Sequence, residues 1–221
     1  MFIAKRALTL LAALRKLECR MFDGLARARL DPLLNALSQK LSANGVTANS
    51  VTLAGCAIGL AAAAAIAFHF YLTGLALIIF SRLCDGLDGG IAKIRGKTDL
   101  GGYLDIVLDF VFYGAVPLGF AFANPVQNAL PTAALIFSFY VNGASFLAYA
   151  IMAEKRGLQS EERGTKSLFF TTGLAEASET IAVFLLACLA PSWFPVLAWG
   201  FAAVCLYTAI SRITLASRIF R

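Results

Sequence analysis

From Val51 to Tyr71 the chain runs without a single Lys, Arg, Asp or Glu. At a rise of about 1.5 Å per residue, a helix of that length crosses the roughly 30 Å hydrocarbon core of a bilayer, and a helix satisfies its own backbone N–H and C=O groups where no water is present. Five more apolar stretches follow: from about Thr73 into Asp88, about Gly101 to Ala123, Gln127 to Met152, Phe169 to Ala190, and Trp193 to about Leu215. The pattern predicts an all-α membrane protein with six transmembrane helices. Of the 221 residues, 59% are apolar and 14% charged, against roughly 45–50% and 25% in soluble domains, so an ordinary soluble domain is excluded. The five cysteines show no C-x-x-C spacing, and Cys56, Cys188 and Cys205 lie inside apolar runs, which argues against a disulfide scaffold.

The net charge of +6 is informative through its placement. Eight of the 19 Lys and Arg fall between Lys5 and Lys40, and the rest are Arg82, three from Lys93 to Lys97, four from Lys155 to Lys166 and three from Arg212 to Arg221. Between them lie three turns with no charge, Phe70 to Gly74, Ala123 to Pro131 and Ala190 to Pro195. Short loops rich in Lys and Arg stay in the cytoplasm, so both termini are expected there. Tyr71 at the end of the first span, and Trp193 and Trp199 at the start of the sixth, suit the headgroup level. Pro117 should kink the third span unless neighbouring helices satisfy the carbonyl it frees.

Residues 1–50 contain no span. Leu30, Leu33, Leu34, Leu37 and Leu41 recur at helical spacing beside Arg27, Arg29 and Lys40, as in an amphipathic helix lying in an anionic cytoplasmic interface. A helix packed on the protein's own cytoplasmic face would show the same pattern. The chain thus divides into an interfacial helical segment, residues 1–50, and a six-helix transmembrane domain, residues 51–221.

Of 13 acidic residues, six lie within or at the ends of apolar helices: Asp85, Asp88, Asp105, Asp109, Glu176 and Glu179. A charge at the centre of a spanning helix costs about 2.5–3.5 kcal/mol, so four uncompensated aspartates would cost on the order of 10 kcal/mol. Asp85 and Asp88 are three residues apart, Asp105 and Asp109 four, and each pair therefore projects from one helix face. The two helices, joined by a loop of about a dozen residues, should be antiparallel neighbours, gathering four carboxylates near the cytoplasmic surface. Hard oxygen ligands suit Mg²⁺ or Mn²⁺, one or two ions. The other way to compensate the charge is ion pairing with Arg82, Lys93, Arg95 and Lys97. Gly86, Gly89, Gly90 and Ala92, with Gly96, Gly101 and Gly102, crowd the same place, and beside Lys93, Arg95 and Lys97 they outline a site for a pyrophosphate.

The stretch DGLDGGIAKIRGKTDLGGYLDIVLD, Asp85 to Asp109, resembles the signature of the CDP-alcohol phosphatidyltransferases: D-x-x-D-G-x-x-A-R, a gap of about eight, then G-x-x-x-D-x-x-x-D. Asp85, Asp88, Gly89, Ala92, Gly101, Asp105 and Asp109 fall in order. Two departures are visible: Lys93 stands where the family usually has Arg, and seven residues separate Lys93 from Gly101. A lysine keeps the charge but loses the bidentate fork, which leaves Arg95 as the alternative for that contact. VTANSVT, Val46 to Thr52, is similar to the family's T-P-N-x-x-T segment, with Ala48 in place of proline. The chain looks most like bacterial inner-membrane members of the family.

The resemblance implies transfer of a phosphatidyl group from a CDP-linked lipid, normally CDP-diacylglycerol, to the hydroxyl of a small polar alcohol with release of CMP. It implies Asp85, Asp88 and Asp105 as metal ligands and Asp109 as both ligand and catalytic base. Gly89, Ala92, Lys93 and Thr98 would contact the CDP moiety, together with Asn49 and Thr52, and the protein would be a homodimer. Glu176 and Glu179, at i and i+3 on the fifth span, would bind a cationic or polyol acceptor together with Arg95, or else the pair would anchor Arg212. A donor of the CDP-choline or CDP-ethanolamine type with diacylglycerol as acceptor shares the same signature. A cation transporter is the alternative from another class, but the aspartates sit at one end of the helices and no inverted repeat shows.

Overall fold

The computed structural model describes residues 32–157 and 177–220, and every regular element among them is helical. Helix α1 covers residues 32–43. It is followed by α2 (Ala48–Ala67), α3 (Tyr71–Arg95), α4 (Asp99–Ala123), α5 (Pro125–Lys155), α6 (Ala177–Leu189), a 3₁₀ turn (Pro191–Trp193) and α7 (Phe194–Ile219). Three of the starts are written in the local sequence. Thr47 accepts from the Ser50 N–H at 3.2 Å, Thr98 from the Gly101 N–H at 3.1 Å, and Asn124 from the Gln127 N–H at 3.2 Å with Pro125 at the first helical position. Each side-chain oxygen satisfies a donor that the first turn leaves orphaned.

Helices α2, α4, α5 and α7 are long and apolar enough to cross a membrane, and α6 is a shorter apolar helix. The six-span count meets its exception in α3, which has the length but carries Arg82, Asp85, Asp88, Lys93 and Arg95 in its second half. Two boundaries differ from expectation. Tyr71 opens α3 instead of closing the first span, because α2 stops at Ala67 and the chain reverses through His69 in the left-handed region at φ 66°. The dozen-residue loop after Asp88 is also absent: the Gly-rich run stays helical to Arg95 and only residues 96–98 connect to α4, with Gly96 at φ 98° making the turn. Burial of Asp88 and Ile91 against neighbouring helices outweighs the weak helix propensity of Gly89 and Gly90.

The core lies between α2, α4, α6 and α7, where Ile66, Phe112, Phe120, Phe184, Phe194 and Ala198 are fully or nearly fully buried. Phe120 stacks on Phe194 at 4.4 Å between ring centroids. Helix α4 runs unbroken through Pro117. Across from it, the Thr132 hydroxyl donates to the Pro117 carbonyl at 3.1 Å and the Asn128 amide to the Phe120 carbonyl at 2.8 Å, so α5 is tied to α4 where a proline weakens the helix. Close helix approach depends on small residues: a Cβ on Gly119 would lie 2.5 Å from the Ala63 carbonyl oxygen, and one on Gly55 would lie 2.9 Å from the Cys84 Cβ. Phe80, Phe122, Val126, Tyr140 and Val196 are among the large apolar side chains left on the outside, as lipid contact requires.

Of the leucines expected on an interfacial helix, Leu33 and Leu37 are exposed on α1, while Leu34 faces Gly86. Ser38 is buried against Gly90 and donates to the Leu87 carbonyl at 3.2 Å. Leu30, Arg27 and Arg29 lie outside the described residues.

Candidate active site

Helices α3 and α4 are joined by residues 96–98, and α2 packs along both, so the two expected neighbours meet across α2 and not along a shared packed face. At about 1.5 Å per residue, Asp105 and Asp109 stand roughly 9 and 15 Å along α4 from Asp99, and Asp88 and Asp85 roughly 10 and 15 Å back along α3 from Arg95. The two pairs therefore meet at matching depth. A small cleft opens there, lined by Thr52, Gly55 and Cys56 from α2, Ser81, Arg82, Asp85 and Asp88 from α3, and Asp105, Leu108 and Asp109 from α4.

The four aspartates do not form one set. Asp85, Asp88 and Asp105 each bring a carboxylate oxygen within 4.8 Å of the others. Asp109 is instead held by Arg82, whose Nη1 donates to its Oδ1 at 2.7 Å and stands 3.8 Å from the Asp85 Oδ1. Ion pairing thus compensates part of the cluster, through Arg82, whereas Lys93, Arg95 and Lys97 are exposed on the C-terminal end of α3 and its turn. Asp88 is only 6% exposed, and its Oδ2 is buried with no hydrogen-bond partner. A buried carboxylate oxygen left so is costly unless a cation meets it, and an all-oxygen donor set suits a hard divalent ion. These residues therefore fit a Mg²⁺- or Mn²⁺-type ion.

Of the residues expected to hold a nucleotide, Thr52 lines this cleft, and the others lie on α2, on α3 and at the cap of α4. Asp85, Gly89 and Lys93 follow one another at helical spacing along one stripe of α3, with Ala92 beside them. Gly89 is exposed, and a Cβ built there would meet nothing within 4 Å, so its backbone is open to close approach. Thr98 caps α4, and both its hydroxyl and the Asn49 amide oxygen reach the space above Gly101, at 3.0 and 3.1 Å from a Cβ placed there. Thr52 lines the cleft while its hydroxyl donates to the Ala48 carbonyl at 3.0 Å.

Of the expected acceptor residues, Arg95 and Glu179 are not part of the cleft lining. Arg95 reaches back to α1, donating to the Ser42 hydroxyl at 3.0 Å and the Ser42 carbonyl at 2.6 Å. Glu179 sits in the first turn of α6 and accepts from Ser178 at 3.2 Å. Glu176 lies outside the described residues. Arg212 donates to Asn142 and Ser145 of α5, at 2.9 Å to the Asn142 carbonyl and 2.7 Å to the Ser145 hydroxyl.

Sequence reasoning named Arg82 only as a counter-ion and passed over Ser81. Yet Arg82 is the sole cation between Lys40 and Lys93, three residues before Asp85, and that position already set it apart. The Ser81 hydroxyl donates to the Gly55 carbonyl at 2.8 Å and accepts from Arg82 Nη2 at 3.2 Å.

A membrane-type helical bundle carrying a three-carboxylate cation site with a fourth aspartate beside it defines a class before any comparison is made. The family model of the CDP-alcohol phosphatidyltransferases matches residues 45–211, and the chain belongs to that family. It is 44% identical over 193 residues to the inner membrane protein YnjF of Escherichia coli, covering 87% of this chain and 94% of that one. It is 27% identical to the archaetidylinositol phosphate synthase of Pyrococcus horikoshii over 76% of this chain and 88% of the relative. The fold is similar to that of Mycobacterium tuberculosis phosphatidylinositol phosphate synthase solved with CDP-DAG bound, with a TM-score of 0.67 at 22% identity over 83% of this chain and 92% of that one. The same enzyme solved with manganese and citrate matches at a TM-score of 0.65, with 22% identity over 82% of this chain and 87% of that one. The chain is thus a transferase of phospholipid biosynthesis with membrane helices.

Proposed function

We propose that the protein transfers the phosphatidyl group of CDP-diacylglycerol to the hydroxyl of a small polar alcohol, releasing CMP at the cytoplasmic face of a bacterial inner membrane. The observation that carries this reading is the separation of the signature aspartates into a cation-binding triad and a lone Asp109 in one cleft. Asp85, Asp88 and Asp105 hold a Mg²⁺ or Mn²⁺ ion, which when bound neutralises pyrophosphate charge. Asp109 takes the proton of the acceptor hydroxyl as that oxygen forms a new bond to the lipid phosphorus, and the bond from that phosphorus to the CMP oxygen breaks. Gly89 lets a phosphate approach the α3 backbone, Lys93 supplies a point charge to it, and Ala92, Thr98, Asn49 and Thr52 bound the rest of the CDP moiety.

Relatives named for inositol phosphate products make a polyol phosphate the first acceptor to try. The assay is lipid mass spectrometry of membranes containing the protein, given CDP-diacylglycerol, Mg²⁺ or Mn²⁺, and in turn inositol phosphate, glycerol phosphate, serine and choline. One new phospholipid dependent on one alcohol is expected. A product formed only from CDP-choline or CDP-ethanolamine with diacylglycerol would overturn the donor assignment.

The same reading includes a homodimer in which each chain has six spans, α3 crossing as one of them, with α1 on the cytoplasmic interface and both termini cytoplasmic. It is supported by the charge-free turns 68–70, 124 and 190–193 at one side of the bundle and the charged segments at the other. Gln127 and Ser192 are exposed at that charge-free side. Cysteines placed there are expected to react with an impermeant reagent added outside intact cells. Protection of both would invert or break the topology.

A further inference from the structure

We infer, on the transferase reading above, that the Tyr113 hydroxyl determines acceptor specificity: it binds a second hydroxyl of the acceptor, beside the one that Asp109 deprotonates, so that the acceptor is a polyol. Asp105, Asp109 and Tyr113 follow one another at i, i+4 and i+8 along one stripe of α4. Side chains on a helix lean toward its N-terminus and cover the preceding turn, so Tyr113 reaches back over Asp109 in the direction of the cleft. Its phenol lies in the field of Asp109, Arg82, Asp85 and Asp105, all four of which line that cleft.

Packing explains the ring of Tyr113 but not its oxygen. The half-buried ring meets Phe112 edge-on at 5.6 Å between centroids and Phe139 of α5 at 6.3 Å, and Phe139 stands 6.0 Å from Phe201 of α7. A phenylalanine would make the same contacts. A tyrosine packed into a core usually finds a partner for its hydroxyl, because a dry one is costly. Among the described residues the Tyr113 hydroxyl has no hydrogen-bond partner. Asp109, one turn away, is half open in the same sense: Arg82 holds its Oδ1 at 2.7 Å, and it makes no other hydrogen bond among the described residues. A molecule with two neighbouring hydroxyls can bridge the two groups, donating one to Asp109 and accepting from the phenol with the other, at the usual O–H···O length of about 2.7–2.8 Å. An alcohol with one hydroxyl serves Asp109 alone and leaves the phenol dry, and a site built to bind a hydroxyl discriminates against the analogue that lacks it.

The test measures binding of inositol phosphate, glycerol phosphate, serine and choline to the purified full chain in lipid nanodiscs by titration calorimetry, with thermal unfolding and acceptor-dependent CMP release on the same preparations. The wild type is expected to bind and use a polyol phosphate. Tyr113→Phe, which keeps the ring, should weaken that polyol about threefold to tenfold, the worth of one hydrogen bond, with CDP-diacylglycerol affinity and melting temperature unchanged. The ligand gives the same comparison without a variant: the monodeoxy inositol phosphates, or hydroxypropyl phosphate in place of glycerol phosphate, remove one hydroxyl at a time. One such analogue should bind the wild type as weakly as the parent polyol binds Tyr113→Phe, and Tyr113→Phe should not tell the two apart. Equal polyol affinity in wild type and Tyr113→Phe would overturn the inference, as would equal losses for CDP-diacylglycerol or a lowered melting temperature, which would make the phenol a structural group. A wild type that neither binds nor uses either polyol phosphate would overturn it too, and product from serine or choline alone would do so while leaving the transferase reading intact. Absence of CMP release from folded protein with every alcohol would sink the transferase reading, whereas Tyr113-dependent polyol binding would still be seen.

Discussion

Asp88→Asn is expected to abolish measurable CMP release, a loss of at least about a thousandfold. Asp88 is the most buried of the signature aspartates, and one of its oxygens has no protein partner. Metal stabilisation of transferring phosphoryl charge is worth several kcal/mol, and each 1.36 kcal/mol is about tenfold in rate. The change carries an internal control on folding. In the metal-free protein, replacing a buried charge, one of whose oxygens has no partner, by a neutral amide of the same shape should leave thermal stability equal or raised. Divalent ion at about a hundred times its dissociation constant should stabilise the wild type by about 2.7 kcal/mol and the variant by nothing. Loss of turnover with loss of metal-free stability would instead mean that Asp88 holds the helices together.

Asp109→Asn is expected to lower turnover by about 10²–10⁴-fold, the usual worth of a positioned base, while Lys93→Arg costs far less. The amide occupies the space of the carboxylate and can still accept from Arg82 Nη1, but it cannot take a proton from an alcohol. Lys93 is exposed on the open stripe of α3, where arginine keeps the charge and adds a fork. Rates of single turnover on folded, membrane-inserted protein measure both. Retention of more than about a tenth of wild-type turnover by Asp109→Asn, well short of the loss for a base, would mean that the proton leaves by another route.

The paired aspartates were legible because i, i+3 and i, i+4 spacing has one meaning on a helix, and α3 and α4 place Asp85, Asp88 and Asp105 together as the spacing requires. The turn after Asp88 was not legible. Gly89, Gly90 and Gly96 read alike in sequence, but only Gly96 takes a positive φ, since Asp88 and Ile91 are buried and hold the first two in the helix. His69 reversing the chain in the left-handed region escaped for the converse reason: a non-glycine residue rarely signals such a turn. Local sequence also could not assign partners across the fold. Arg82 sits 27 residues from Asp109, and Arg212 is 70 from Asn142; both meet only once helices pack. Burial then separates residues that share a charge, leaving Asp88 almost inaccessible and Asp105 exposed.

The reaction proposed for this cleft is the breaking of a CDP-linked pyrophosphate by metal-dependent transfer. CMP release from CDP-diacylglycerol by the purified protein in lipid, with the alcohol that yields a product, measures it directly, with and without excess chelator. Release is expected to stop in chelator and to return when Mg²⁺ or Mn²⁺ is restored. Undiminished release in chelator, or none from folded, metal-supplied protein with any alcohol in the panel, would contradict it.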